Sequence, residues 1–245
     1  MAKVRRLFSS LPAVVVLLAG CHHHNPTERL DAFPAMSEPA ELRTLADRSA
    51  KVKSVTGTGT LQLTKPDGES VVLDLIAVLA PPDRAHLRAS KLGHTVFDLT
   101  ETGDALYLQA GASPRETAAG ATAAQVTKGM GLITGKFFSD PAIVARDDGP
   151  TLLLTLEKPG EPPIFCEVDR RTLTARSFRM VDDQGHTVFT MTLGEYDTQN
   201  GVVWPRKVTA VSASGTIVVL LDDIEINGDL TPAAFVPSPG AVRLR

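Results

Sequence analysis

The stretch VTGTGTLQLTKPDGESVVLDLIAVLA, from Val55 to Ala80, carries the period that decides the fold class. Leu61 and Leu63 alternate with Thr60, Gln62 and Thr64, and Pro66-Asp67-Gly68 supplies a turn. Val71, Leu73, Leu75, Ala77 and Leu79 then recur at every second position. Side chains alternate between the two faces of a strand, so this is a hairpin with one apolar face. Val72, Ile76 and Val78 make the other face apolar too, which reads as a central strand covered on both sides. Downstream, Ala85, Leu87 and Ala89 alternate with Arg84, His86 and Arg88, and further strands are expected at 95–100 and 105–109. After an interruption come 151–156, 163–169, 173–181, 186–196, 203–211 and 216–226, separated by turn signals such as Pro159-Gly160 and Gln199-Asn200-Gly201. The count is about eleven strands at hairpin spacing. The interruption, residues 112–145, is alanine-rich and expected to be helical around Ala118–Gly129. Upstream, Ser37 precedes a helix of about 14 residues in which Leu42, Leu45, Ser49 and Val52 share one stripe. The expected fold is mainly β with α: a single curved antiparallel sheet enclosing helices.

Composition agrees with a single domain of residues 38–245. The chain has 245 residues, 43% hydrophobic and 5% aromatic, with 25 basic residues against 28 acidic ones. That balance argues against a nucleic-acid-binding face. Two cysteines, Cys21 and Cys166, are too few for a disulfide scaffold or a zinc ribbon.

The N-terminus reads as an export signal. Lys3, Arg5 and Arg6 precede an apolar run from Leu7 to Leu18. Leu18-Ala19-Gly20-Cys21 then resembles the lipobox of bacterial lipoproteins. The resemblance implies cleavage of residues 1–20, a diacylglycerol on the Cys21 sulfur and an acylated new amine. With about 0.8 kcal/mol per buried methylene, such an anchor is effectively permanent. Cleavage takes three of the 25 basic residues and none of the 28 acidic ones, leaving a net charge of −6. Residues 21–37 form a lipidated tether, polar and broken by Pro26 and Pro34, with a flexible reach of roughly 20–24 Å. His22 in place of an aspartate after the cysteine favours the outer membrane, on its periplasmic face, among the sorting outcomes the resemblance implies. His22, His23 and His24 are adjacent on a flexible segment, an arrangement poorly suited to a specific metal site.

The order of elements from Ala40 to Leu244 resembles the half-open barrel shared by the lipoprotein carriers LolA and LolB, the mycobacterial lipoglycan-binding lipoproteins and the N-terminal part of the sensor RseB. The most local matches are Glu195-Tyr196 with Gly201-Val202-Val203-Trp204-Pro205, and Ile226-Asn227-Gly228-Asp229-Leu230 with Phe235. The resemblance implies an apolar cavity that binds or passes lipid or lipoprotein acyl chains. Alternation places Leu73 and Leu75, Phe97 and Leu99, Phe178 and Met180, and Phe189, Met191 and Leu193 on single strand faces, where they line such a cavity or pack against the helices. LolB carries an exposed apolar residue on a loop after its third strand. By strand count the equivalent is Leu92 in Lys91-Leu92-Gly93-His94, which the resemblance implies as a membrane-facing loop; the turn is short for that role, and a leucine folded back on the core is the favoured expectation.

No enzyme constellation is present: there is no H-E-x-x-H, C-x-x-C, phosphate-binding glycine loop or G-x-S-x-G elbow. No catalytic residue, metal site or cofactor is expected. Cys166 alternates with Ile164 and Val168 and reads as a buried, inert side chain rather than a reactive thiol. Arg170-Arg171 reads as a solvated turn, and Asp182-Asp183 and Asp222-Asp223 as turns or strand ends. The expected function is a membrane-anchored envelope lipoprotein that carries acyl chains. The alternative is an envelope scaffold or sensor of the same fold with a filled core.

Overall fold

A computed structural model describes residues 30–103, 105–110, 129, 131–133 and 137–244. The expected Ala118–Gly129 helix lies almost entirely outside the described residues, as do Cys21 and His22–His24. After an extended lead, helix α1 spans Glu38–Ala50. The strands are β1 (Val55–Thr64), β2 (Ser70–Ala80), β3 (Arg84–Lys91), β4 (His94–Thr102), β5 (Ala105–Ala110), β6 (Ile143–Asp148), β7 (Thr151–Leu156), β8 (Ile164–Asp169), β9 (Thr174–Val181), β10 (Thr187–Gln199), β11 (Val202–Ser212), β12 (Gly215–Ile226) and β13 (Val242–Arg243).

These thirteen strands make one curved, unclosed antiparallel sheet, in the order β13-β5-β4-β3-β2-β1-β12-β11-β10-β9-β8-β7-β6. It consists of two meanders, β1 to β5 and β6 to β12, welded where β1 pairs with β12. In that seam Val55 lies opposite Ile226 and Thr64 opposite Thr216, with a bulge between Thr58 and Gly59. Gly59 is required there, because a Cβ at this position would stand 2.0 Å from the Leu220 carbonyl oxygen.

The sheet has more strands than the periodicity predicts. β6 straddles the end of the 112–145 interruption, where no strand is expected; it is an edge strand whose inner face contributes only Ile143 and Ala145 to the core, too few positions to show a period. Its Asp148-Gly149-Pro150 junction with β7 was the available hairpin signal. β13 is two residues long and pairs with Leu108 and Tyr107 of β5, a contact only tertiary structure creates.

The core occupies the inner face. Leu73, Leu75, Leu61, Leu99, Leu154, Phe178 and Met191 belong to one continuous buried cluster spanning both meanders. β2 is central, as expected, but its outer face is not covered: Val72 is 54% and Ile76 52% exposed. Apolar character on both faces therefore marked a strand with one wet apolar face, the less common outcome in a sheet. Asp222 and Asp223 are exposed within β12 beside the bulge rather than at its end. Asp182 does hold a turn, its Oδ1 accepting the Gln184 and His186 amides.

Candidate functional site

Helix α1 lies on the inner face of the second meander. Ser37 occupies its N-cap position with extended backbone, and its carbonyl accepts the Ala40 and Glu41 amides, while its hydroxyl makes no cap bond. Only Leu45 and Glu41 of the helix are fully buried. Leu42, Ser49 and, just past the helix, Val52 share the expected stripe.

Two arginines hold this helix in place. Arg48 donates from Nη1 to the carbonyls of Thr172 and Leu173, both at 2.9 Å, and its guanidinium lies 5.4 Å from the Phe33 ring centroid. Leu173 is in the left-handed region at φ 48°, which turns its carbonyl toward the helix. Arg170 donates from Nε to Glu41 Oε1 at 2.9 Å and lies 2.7 Å from Asp147 of β6 through Nη1. Arg170 is thus no solvated surface residue: it bridges α1 to the edge of the sheet. The two carboxylates push its pKa upward. Among the described residues Glu41 Oε2 has no hydrogen-bond partner.

Between α1 and the sheet lies a cleft of about 70 Å³. Leu45, Arg48 and Val52 form one wall, Ile133 and Phe138 another, and Phe178, Leu193, Tyr196 and Trp204 the floor. The space is far below the several hundred Å³ of a drug-sized ligand pocket. Phe137 fills the interior above β9, meeting Phe138 at 5.3 Å and Phe178 at 5.1 Å, both edge to face.

The nine residues singled out by alternation, Leu73, Leu75, Phe97, Leu99, Phe178, Met180, Phe189, Met191 and Leu193, are all buried in the core cluster. Of these, Phe178 and Leu193 border the cleft and the other seven pack elsewhere. Tyr196 and Trp204 are on the floor without having been assigned to it. The signal was the inward alternation of Val202 and Trp204, both buried. Tyr196 donates its hydroxyl to the Ala175 carbonyl, and burial pushes its pKa upward. Cys166 is fully buried and burial raises its thiol pKa well above the usual value, which keeps it neutral.

Leu92 differs from its expectation. It does not fold back on the core: it is 88% exposed at the tip of the β3–β4 turn. Leu92 and Gly93 both have positive φ, 51° and 79°, so the two-residue turn bends as the strand twist demands and leaves the leucine side chain in solvent.

Neither a family model nor a curated protein matches the sequence. Solved structures do match in fold. A LolA superfamily protein from Nitrosomonas europaea aligns over 82% of this chain and 98% of its own, with TM-score 0.58 and 13% identity. The domain is LolA-like in fold. A domain described as an outer membrane lipoprotein-sorting protein, from Vibrio parahaemolyticus, aligns over 81% and 97% with TM-score 0.53 and 12% identity. A DUF1329 family protein from Desulfovibrio piger aligns over 82% and 98% with TM-score 0.57 and 8% identity. Among the described residues of the LolA-like domain, no helix is long and apolar enough to cross a membrane.

Proposed function

We propose that this chain is a non-catalytic lipoprotein of the cell envelope, acylated at Cys21 and held at the periplasmic face of the outer membrane, that binds or passes lipid or lipoprotein acyl chains beneath α1. The observation that carries this reading is the cover over the apolar inner face. α1 has a single fully buried apolar side chain, Leu45, and is fastened at its rim by the polar contacts of Arg48 and Arg170. Lifting such a helix costs little apolar burial. Acyl chains, which need area and adaptable contacts rather than directional bonds, can then replace it over Phe178, Leu193 and Trp204. Leu92, projecting from the turn that the family resemblance points to, supplies an apolar contact for a membrane or an acyl chain.

Trp204 is the only tryptophan in the chain and reports directly on the cleft. Native mass spectrometry of residues 22–245 is expected to show co-purifying lipid. Phospholipid or an acylated peptide at about a hundred times its dissociation constant is expected to shift Trp204 emission and stabilise the domain by about 2.7 kcal/mol. Absence of lipid, an unmoved melting temperature and unchanged emission together would reject the carrier reading.

The second reading is an envelope scaffold or sensor of the same fold. The small cleft and the edge-to-face packing of Phe137, Phe138 and Phe178 favour it. It is the conclusion that remains if those three measurements are negative.

A further inference from the structure

Beyond Asn227 the chain crosses the outer face of the first meander, away from the cleft. Phe235 is buried there, with the Arg84 guanidinium 5.0 Å from its ring centroid. His86 and Arg88 share that outer face of β3, because Ala85, Leu87 and Ala89 point into the core. Nδ1 of His86 lies 2.8 Å from the Ala234 carbonyl oxygen and Nε2 lies 2.9 Å from Asp98 Oδ1. The other Asp98 oxygen accepts from Arg88 Nε at 2.7 Å and from Ser238 Oγ at 3.0 Å. A carbonyl and an ionised carboxylate can only accept, so both ring nitrogens must donate. The geometry therefore requires an imidazolium at His86, joining the C-terminal arm to the sheet.

We propose that residues 232–244 form a pH-sensing arm, clasped to the sheet by doubly protonated His86 and loosened when that proton leaves, which uncovers the edge of β5. This inference stands apart from the acyl-chain reading and needs no cargo. Neutral imidazole has one N–H and keeps either Asp98 or Ala234. If it keeps Asp98, the Ala234 carbonyl faces a lone pair. The charged and titratable groups around the ring are Arg84 and Arg88 on β3, Asp98 on β4 and Tyr107 on β5, opposite Thr100. The arm itself carries one charged side chain, Arg243, on β13. The hydrogen bond to Asp98 raises the His86 pKa more than burial lowers it. The His86 contribution to the clasp is accordingly complete at and below the ordinary imidazole value of about 6.5, and it is lost as pH rises through the raised value.

What the arm covers gives the clasp a consequence. β13 makes only a two-residue pairing with β5, extended by the Leu244 amide bonding the Leu106 carbonyl at 2.7 Å, and Val242 is 65% exposed. Freeing it leaves β5 as an open sheet edge, a template for an added strand, because among the described residues no other strand pairs with that edge of β5. It also lets water reach Thr100 Oγ1, which is buried with no hydrogen-bond partner among the described residues.

Hydrogen exchange of the purified full chain, expressed as protection factors so that intrinsic rates cancel, tests this between pH 6 and pH 10. Residues 105–110 and 232–244 are expected to lose about tenfold to hundredfold in protection, the effect of one charge-assisted hydrogen bond, while β9 and β10 keep theirs. The His86 ring, followed by NMR in the unaltered protein, is expected to titrate above 6.5 together with that loss. His86→Gln, which offers one donor group, is expected to show weak arm protection with no step in pH. Constant arm protection across the range, a persisting step in His86→Gln, or a His86 titration at or below 6.5 would each overturn the proposal.

Discussion

Three side chains show how far a single residue can be read from its neighbours. Leu92 sits where a two-residue hairpin turn needs positive φ, a position suited to Asn and costly for leucine by about 1 kcal/mol. Leu92→Asn is therefore expected to raise stability by about 1 kcal/mol in chemical denaturation, while weakening association of the domain with phospholipid vesicles. Loss of stability with unchanged vesicle binding would show that the exposed leucine has no role at a lipid surface. Gly59 is the opposite case, since the Leu220 carbonyl leaves no room for a Cβ. Gly59→Ala is expected to cost at least about 2 kcal/mol by the same measurement. Neither outcome was visible in the local pattern: the exposure of Leu92 follows from the turn's backbone, and the constraint on Gly59 comes from a strand more than a hundred and fifty residues away. The proposed acylation at Cys21 rests on its neighbours alone, because a lipobox is a local sequence signal. Cys21→Ser is expected to abolish incorporation of labelled fatty acid and leave an uncleaved precursor on a gel.

At the level of elements, the long strands were readable and the short or edge ones were not. β2, β10, β11 and β12 each carry enough alternating positions for the period to emerge above chance. β6 and β13 lack that length, and their pairing depends on neighbours already in place. The stripe of α1 was legible from Leu42, Leu45, Ser49 and Val52, but its fastening was not. Arg170 meets Glu41 across the fold, and a turn of two arginines looks solvated until the helix arrives. Breaking one side of that pair strands a buried carboxylate, whereas replacing both sides does not. Arg170→Met is thus expected to lower the melting temperature, and Glu41→Leu with Arg170→Met to recover most of the loss. A double variant no more stable than Arg170→Met alone would mean that the two residues do not act as a pair.

The whole molecule is one open sheet whose two meanders meet at β1 and β12, and its outer face is strapped by the C-terminal arm. Burial alone would raise the Asp98 carboxyl, but hydrogen bonds from His86, Arg88 and Ser238 outweigh it and hold the pKa at about 2. A depressed carboxylate stabilises the fold above its ordinary value near 3.8 and loses that contribution as pH falls through about 2. The contribution is about 2 kcal/mol. With the alkaline loss of His86, arm protection is expected to peak between about pH 4 and 6.5, and Asp98→Asn to flatten its acid side. The sequence by itself determined the elements with strong periods and the antiparallel class of the fold, because periodicity and turn chemistry are properties of neighbouring residues. Tertiary structure alone decided the β1–β12 seam, the Arg170–Glu41 bridge, the nearly filled cleft under α1 and the cationic clasp at His86. Each of these depends on groups distant in the chain whose burial and charge environment exist only once the curved sheet has brought them together.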